Sequence, residues 1–257
     1  MHLQILTGAI LAAVAAVAAY RAGVLDRSGT AAAFFVGAAT FGIGGWPAAT
    51  VLLAFFIPST ILSKIGKRTK RTLADVGKSG SRDAWQVLAN GGIATLAVVA
   101  SARYGPVMLS AFAGALAAAA ADTWGTEIGT LARSAPRSIL TLRTIAAGLS
   151  GGVTLRGTLA EICGAALVAL AATLVHIAPF LPVFVAGVGG ALVDSILGAC
   201  AQALRFCPHC RLECESNPHT CGTPTSLRRG VAWIENDAVN LAATAAGAVL
   251  AAAVFLL

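Results

Sequence analysis

The sequence predicts an all-α membrane protein, a bundle of about eight transmembrane helices in a single domain over residues 1–257. Three observations lead to this fold class. Hydrophobic residues make up 57% of the chain and charged residues only 11%, against roughly 25% charged in an average soluble protein. The mean hydropathy is +0.81, and the apolar residues form continuous runs rather than the alternating pattern of a membrane β-barrel. This composition excludes a soluble globule, a disordered chain and a nucleic-acid-binding domain.

The apolar runs are long enough to be membrane spans, because a helix needs about 20 mostly apolar residues to cross the hydrocarbon core. Turn-like breaks with interfacial aromatics, such as Trp46-Pro47, separate the runs. The second and third runs could instead form one span and a re-entrant segment. No basic residue precedes the first run, so we expect a retained helix rather than a cleaved signal peptide. The predicted spans are residues 3–20, 29–46, 47–64, 84–103, 106–127, 157–178, 180–200 and 237–257.

The basic residues predict the orientation of this bundle. Of the 18 Lys and Arg residues, 17 fall in odd-numbered connections between the spans, and only Arg103 falls in an even-numbered one. Because basic loops stay in the cytoplasm, we expect the odd-numbered connections inside and both termini outside. Most of the net charge of +7 is then a cytoplasmic rim that attracts anionic lipid. The sequence therefore predicts a multi-pass protein of the cell membrane.

Carboxylates inside the predicted spans are candidate functional groups, because an ionisable side chain is costly to bury in a bilayer. Asp122 and Glu127 end the fifth span, Asp194 lies in the seventh, and Asp237 begins the eighth. At 1.5 Å per residue, Asp194 and Asp122 lie about 21 and 24 Å from the outer ends of their helices. We therefore expect these four catalytic candidates at one polar cavity that opens to the cytoplasm.

Oxygen ligands without His or thiolate suit Mg²⁺, which usually also binds substrate phosphates. Asp122 and Asp194 are the leading candidate ligands, followed by Glu127 and Asp237. On an undistorted helix Asp122 and Glu127 diverge by about 140°, so a shared metal needs a ligand from another helix, foremost Asp194. The fourth span carries Asn90 on a polar face, where an amide could equally join helices through hydrogen bonds.

A glycine-rich loop over residues 148–157 follows the fifth span. Glycines let backbone N–H groups approach phosphate oxygens, and the helix that follows presents its positive end. The loop lacks the Gly-Lys-Ser/Thr of a Walker A motif, so it is either a phosphate cradle or a flexible interfacial turn. Glu161, one turn into the next helix, either joins the carboxylates or pairs with Arg156.

Four of the six cysteines lie in a Cys-rich loop, residues 207–230, before the last span. The predicted cytoplasmic location argues against disulfides. The spacing C-x2-C-x3-C-x6-C indicates a candidate structural zinc site, with His209 or His219 as substitute ligands. The four candidate zinc ligands are Cys207, Cys210, Cys214 and Cys221.

Five motifs follow one another along most of the chain. They are Gly80-Ser81-Arg82-Asp83, Ala121-Asp122-Thr123 with Thr126-Glu127-Ile128-Gly129, Gly151-Gly152-Val153-Thr154, Asp194-Ser195 and Asn236-Asp237-Ala238-Val239-Asn240. In this order they resemble the integral membrane family of phytyl-phosphate kinase, to which transmembrane protein 19 of animals belongs. The family is similar, more distantly, to the CTP-dependent dolichol and phytol kinases and to CDP-lipid synthases.

The resemblance implies a phosphotransferase that uses a nucleoside triphosphate, CTP or ATP, to convert an isoprenyl (phytyl-like) monophosphate to the diphosphate. Its partners would be the isoprenoid lipid, the nucleoside triphosphate, membrane lipids and, in a homo-oligomer, a second copy of the chain. The active site is expected to face the cytoplasm. The expected nucleotide- and phosphate-binding residues are Lys78, Arg82, Asp83, Asn90, Ser150, Gly151, Gly152, Thr154, Arg156, Asn236 and Asn240.

Three alternatives share parts of this pattern. A CDP-lipid-type cytidylyltransferase would use the same metal and phosphate groups but release pyrophosphate. A polyprenol kinase would take the lipid alcohol instead of the monophosphate. A secondary transporter would place its site near the membrane midplane, between inverted repeats with broken helices.

Overall fold

The computed structural model describes the backbone of residues 2–70, 80–131 and 134–257, and the side chains of residues 3–65, 80–131 and 134–257. The helices are α1 (His2–Arg21), α2 (Arg27–Lys70), α3 (Ala84–Tyr104), α4 (Pro106–Thr130), α5 (Leu155–Leu174), α6 (Phe180–Cys200) and α7 (Asn236–Phe255). The strands are β1 (Arg137–Ser138), β2 (Gly152–Val153), β3 (Leu204–Cys207), β4 (Leu212–Cys214) and β5 (Ser226–Arg229). In the described residues, seven helices are long and apolar enough to cross a membrane, which confirms the predicted all-α polytopic bundle.

Helix α2 is broken at Gly45. This residue has φ 65° and ψ −160°, a left-handed conformation that glycine adopts without a Cβ clash. Gly105, which separates α3 from α4, has nearly the same conformation with φ 66° and ψ −145°. In both places a proline follows within two residues, Pro47 and Pro106, and proline is favoured in the first turn of a new helix. The break at Gly45 therefore has the backbone of a connection between two helices.

Both ends of α2 return to the same part of the molecule. Next to its start, the Asp26 N–H donates to the Arg82 carbonyl at 3.1 Å, and the Arg82 N–H donates to the Val24 carbonyl at 2.9 Å. Near its other end, Ser63 Oγ accepts a hydrogen bond from Arg82 Nη2 at 3.2 Å. Asp26 and Ser63 are each about 27 Å of helix away from Gly45, so the chain reverses there. The halves, residues 27–44 and 46–70, thus supply two crossings, and eight crossings agree with the eight predicted spans.

The long connections emerge at one end of the bundle, which we call the basic end. In the described chain it consists of residues 22–26, 80–83, 134–154 and 201–235. It carries the short strands, in which β1 pairs with β2 and a separate antiparallel sheet has the order β4-β3-β5. The opposite end holds Gly45, Gly105 and the turn between α5 and α6. The cytoplasmic location of the basic end stays a prediction.

Helix α4 is the centre of the bundle. Of its apolar stretch 67% is buried, against 17–39% in the other six helices. Its middle consists mostly of Ala and Gly, which lets neighbouring helices approach closely. A Cβ on Gly190 of α6 would clash with Ala118, and a Cβ on Gly247 of α7 would lie 2.7 Å from both Ala118 Cβ and the Gly114 carbonyl oxygen. Small residues at such contacts are typical of membrane bundles, because lipid offers little hydrophobic drive for helix association.

The reversal at Gly45 predicts that Trp46 lies at the outer membrane surface, where its side chain is 64% exposed. We expect a Trp46→Cys variant to react with a membrane-impermeant maleimide in intact cells. The wild-type chain is the control, because its six cysteines lie in the bundle or at the basic end and should react only after permeabilisation. Labelling of Trp46→Cys only after permeabilisation would reverse the orientation, and no labelling at all would contradict the reversal.

The close contact of α4 and α7 predicts that Gly247→Leu destabilises the bundle. A leucine there must push α7 away from Ala118 and Gly114, and overpacking of this kind typically costs about 1–3 kcal/mol. We expect a melting temperature several degrees lower for the detergent-solubilised protein. Ala242→Leu is the matched control, because Ala242 lies on the exposed face of the same helix and should tolerate the change. Equal melting temperatures for the two variants would argue against tight packing at Gly247.

Candidate functional site

Two aspartates from neighbouring helices meet near the basic end. The side chains of Asp122 in α4 and Asp194 in α6 are within hydrogen-bonding distance of each other. Asp122 lies eight residues before Thr130 and Asp194 six before Cys200, hence about 12 and 9 Å from the ends of their helices. Two ionised carboxylates this close repel each other, so the pair either shares a proton or holds a cation between its oxygens. We call these two residues the carboxylate pair.

Helices α5 and α7 add polar groups to the carboxylate pair. Glu161 of α5 is close enough to interact electrostatically with both Asp122 and Asp194. Its approach depends on Gly125, since a Cβ there would lie 2.5 Å from Glu161 Cγ. With its amide oriented to donate, Asn240 Nδ2 lies 3.1 Å from Asp194 Oδ2. Four helices thus meet at this site, α4, α5, α6 and α7.

Asn236 supports this amide from one turn earlier on α7, because its Nδ2 donates to the Asn240 side-chain oxygen at 3.3 Å in the same orientation. Asp237 lies beside Asn236 in the first turn of α7. The sequence allowed Glu161 either to join the carboxylates or to pair with Arg156. The structure places it with the carboxylates. Arg156 itself is exposed in the first turn of α5.

Glu215 is a further carboxylate of the site, and no motif or spacing in the chain points to it. It lies in the loop after β4, interacts electrostatically with Asp194, and accepts three hydrogen bonds. The donors are the Ser150 backbone N–H at 2.7 Å, Ser150 Oγ at 3.0 Å and Gln202 Nε2 at 2.8 Å. Burial raises the pKa of Glu215, while the hydrogen bonds from Ser150 and the charge of Arg229 act in the opposite direction.

The glycine-rich loop lies against the end of α6. Gly151 has φ 78°, and a Cβ there would lie 2.5 Å from the Ala199 Cβ. From the α6 side, a Cβ on Gly198 would lie 3.0 Å from Ser150 Cβ and from the Gly151 nitrogen. Gly152 pairs with Ser138 in the small sheet of β1 and β2. The loop is therefore held next to the carboxylate pair rather than free in solvent.

A cavity of about 210 Å³ opens beside this loop at the basic end. Arg229 Nη2 donates to the Gly198 carbonyl at 3.4 Å, so the guanidinium lies next to the loop. The volume is below the roughly 300–1,000 Å³ of typical ligand pockets, so it suits phosphate groups rather than a whole nucleotide. The lining residues are Ser138, Thr141, Ile145, Leu149, Ser150, Ala199, Leu204, Glu213 and Arg229.

A second polar cluster lies on another face of α4. Glu127 is 7% exposed, and its Oε1 accepts a hydrogen bond from Ser63 Oγ at 2.9 Å. Ser63 in turn accepts from Arg82 Nη2 at 3.2 Å. Burial lowers the pKa of Arg82, and the negative charge of Glu127 opposes that shift. The described contacts thus separate Glu127 from the carboxylate pair, as expected for two residues that diverge around one helix.

Several other predicted binding residues make local contacts at helix starts. Asp83 caps α3, because its Oδ1 accepts from the Gln86 N–H at 2.9 Å, and Asn90 Nδ2 donates to the Gln86 carbonyl at 3.0 Å. Thr154 caps α5 by accepting from the Gly157 N–H at 3.0 Å. Such caps stabilise helices without any ligand. Lys78 lies outside the described residues.

The Cys-rich loop brings together three of the four predicted zinc ligands and one substitute. Ligand atoms of Cys207, Cys210, His219 and Cys221 lie within 4.8 Å of one another. Cys214 is not in this group; its Sγ lies 3.9 Å from the Ser216 carbonyl oxygen. Hydrogen bonds, foremost the one with Thr223, lower the pKa of Cys221 to about 5, and the hydrogen bond with Cys221 is the main cause that raises the pKa of Cys210 to about 12.

Comparison with known proteins gives the family. Residues 10–248 match the integral membrane protein family DUF92. The chain belongs to this family. It is 31% identical over 267 residues to Protein PGR of Arabidopsis thaliana, covering 92% of this chain and 91% of that protein. It is 28% identical over 233 residues to an uncharacterized membrane protein of Methanocaldococcus jannaschii, covering 90% of this chain and 86% of that protein. No solved structure shows a significant match.

The hydrogen bonds of Glu215 predict that this side chain holds the glycine-rich loop in place. In a Glu215→Ala variant we expect the Ser150 amide to exchange with deuterium about tenfold faster or more, because a hydrogen bond to a charged group contributes roughly 1.5–3 kcal/mol. Hydrogen–deuterium exchange of a peptide over residues 146–154 measures this. Glu235→Ala is the matched control, an exposed carboxylate before α7 that makes no side-chain cap. Equal exchange in both variants would mean that Glu215 does not anchor the loop.

Proposed function

We propose that this chain is a membrane-embedded kinase that transfers a phosphoryl group from a nucleoside triphosphate to an isoprenyl monophosphate. The observation that carries the proposal is the carboxylate pair of Asp122 and Asp194, which two helices bring together near the basic end. Glu161 and Asn240 surround the pair, and the loop with Ser150 lies beside it. Acidic side chains this close together inside a membrane bundle cost free energy unless they bind a cation.

The residues of the pair fit Mg²⁺. The carboxylates that converge there offer oxygen, the ligand atom that Mg²⁺ prefers, and Asn240 orients one of them by donating a hydrogen bond to Asp194. Among the described side chains, the carboxylates do not form a compact set of three or more ligand atoms; the cysteine group does. A site with two protein carboxylates suits Mg²⁺, which keeps waters and binds substrate phosphates instead of filling its shell with protein ligands. Magnesium bound there would neutralise charge on the transferring phosphoryl group.

In the proposed reaction an oxygen of the lipid monophosphate forms a bond to the γ-phosphorus of the nucleoside triphosphate. The bond from that phosphorus to the bridging oxygen breaks, and this oxygen leaves with its electron pair on the nucleoside diphosphate. The acceptor is already an anion, so the chain needs to supply positioning and positive charge rather than a strong base. Arg229, whose charge acts on Glu215, and the backbone N–H groups of the glycine-rich loop are the candidates for that role.

The depth of the site supports a lipid acceptor. The carboxylate pair lies about 9–12 Å inside the ends of its helices, where a substrate held in the bilayer by its chain would present its phosphate. Apolar side chains such as Leu192 and Ile196 are exposed on the same helix as Asp194. These faces would contact membrane lipid or the isoprenoid chain.

The loops that carry Ser150 and Glu215 join the site from the basic end, which favours the kinase over a transporter, because a transporter needs a site that opens to both sides in turn. A cytidylyltransferase would use the same groups, so the products have to separate these two reactions. Purified protein should be incubated with CTP or ATP labelled at the γ-phosphate and with prenyl alcohols and monophosphates. We expect label in the lipid diphosphate, and none when Mg²⁺ is chelated. A cytidylylated lipid with release of pyrophosphate would overturn the proposal, and phosphorylation of the alcohol alone would make the chain a polyprenol kinase.

The carboxylate pair makes a sharp mutational prediction. Asp122→Asn keeps the size of the side chain but removes a charge that would hold Mg²⁺. We expect turnover to fall at least about 100-fold, or ~2.7 kcal/mol of transition-state stabilisation, while the protein remains folded. Glu235→Gln is the matched control, because this exposed carboxylate at the start of α7 makes no side-chain cap and its loss should leave turnover unchanged. Turnover of Asp122→Asn close to that of the wild type at saturating Mg²⁺ would refute the metal assignment.

A further inference from the structure

The loop between α6 and α7 contains a group of soft metal ligands that the proposed reaction does not use. We propose that Cys207, Cys210, His219 and Cys221 bind one structural zinc ion. The ligand atoms lie within 4.8 Å of one another, and three thiolates with one imidazole form a closed Cys3His set of the kind found in structural zinc sites. A closed set leaves no position for substrate, so the role is structural.

The distances inside the group match a tetrahedral site. Cys207 Sγ and Cys221 Sγ are 3.6 Å apart, and two thiolates at 2.3 Å from one tetrahedral zinc are about 3.8 Å apart. His219 Nδ1 lies 3.1 Å from Cys221 Sγ, against roughly 3.5 Å for a nitrogen and a sulfur on one tetrahedral zinc ion, so the two side chains would move slightly apart to bind it. Cys207 and His219 are buried, with 0% and 2% exposure, while Cys221 is exposed, which leaves a path for the ion to enter.

The backbone builds the group from two tight turns. Cys207 ends β3 and Cys210 lies in the turn that leads to β4, where its N–H donates to Cys207 Sγ at 3.4 Å. In the second turn the His219 N–H donates to the Thr223 carbonyl at 3.0 Å, and the Gly222 N–H donates to the His219 carbonyl at 2.8 Å. Both turns are therefore fixed by backbone hydrogen bonds, so the ligands are preorganised rather than collected from a flexible loop.

Other uses of these cysteines fit less well. A disulfide needs two sulfurs about 2.05 Å apart, and the six cysteines, all among the described residues, form no disulfide. Magnesium prefers oxygen ligands, which this group lacks. Cys214 is excluded because its buried side chain lies outside the group. The zinc site therefore differs from the four-cysteine set that the spacing alone suggested.

Zinc in this position would also fix the geometry of Glu215. This residue follows β4 directly and lies between the two turns that carry the ligands. Its carboxylate reaches Ser150 and Gln202 only while β4 and the turn at His219 keep their places. Loss of the ion should therefore speed hydrogen exchange at Ser150 as well as in the Cys-rich loop. This link rests on the described hydrogen bonds and is independent of the kinase proposal.

Metal analysis of the full-length protein tests the proposal. The protein is purified in detergent without chelators, with any affinity tag removed, and zinc is measured by mass spectrometry. We expect about one zinc per chain in the wild type, and about tenfold less or lower in Cys207→Ser and Cys221→Ser. Cys214→Ser is the matched control and should keep its zinc. Wild-type protein that lacks zinc and does not bind added zinc would overturn the proposal, as would equal zinc loss in Cys214→Ser and Cys207→Ser.

A second measurement tests the ligand set even if the Cys207→Ser and Cys221→Ser variants fail to fold. Zinc is exchanged for Co²⁺ in the wild type and in Cys214→Ser, and the visible spectrum is recorded. Both proteins should show the same d–d absorption of a tetrahedral thiolate site. A spectrum without that absorption in the wild type, or one that changes in Cys214→Ser, would contradict the ligand set.

Discussion

The close packing of helices around α4 is the constraint on which the rest of the structure depends. Lipid tails are as apolar as leucine, so helices in a bilayer gain little from burying large apolar side chains against each other. They gain from contact at short range, which Ala and Gly permit. Ala118 of α4 meets Gly190 of α6 and Gly247 of α7 with no space for a further carbon atom. The same short distance between α4 and α6 lets the side chains of Asp122 and Asp194 contact each other about one helical turn after Ala118 and Gly190.

The site follows from that distance and from the rotation of α4. Residues five apart on a helix point about 140° away from each other, which the sequence already indicated for Asp122 and Glu127. The structure places Asp122 against Asp194 and Glu161, and Glu127 against Ser63 and Arg82. The partners of Glu127 had to come from the fold. The pairing of Asp122 with Asp194 was expected because few other carboxylates lie at the same depth.

Helix count, spans and the depth of the carboxylates could be predicted because they depend on local composition and on a rise of 1.5 Å per residue. Helix ends depend on caps. The predicted span 157–178 is helix α5 over Leu155–Leu174, since Thr154 provides the cap and the chain turns after Leu174. The polar motif around Asp83 predicts ligand binding, and in the structure Asp83 forms a capping box with Gln86. A sequence motif does not distinguish a carboxylate that caps a helix from one that binds a ligand, because both can lie directly before the helix.

Glu215 shows what sequence patterns could not supply. It lies in a loop whose path depends on turns with little periodicity, and no spacing relates it to Asp194. This loop nevertheless contributes Glu215 to the site around the carboxylate pair. A carboxylate pair buried between helices needs fixed polar partners, because the surrounding bilayer provides none. The helices supply Asn240 and Glu161, and Ser150 and Glu215 come from two loops that meet over the end of α6. If zinc holds the turns at Cys210 and His219 as proposed, the geometry of the carboxylate pair between the helices depends on a metal ion bound outside the membrane.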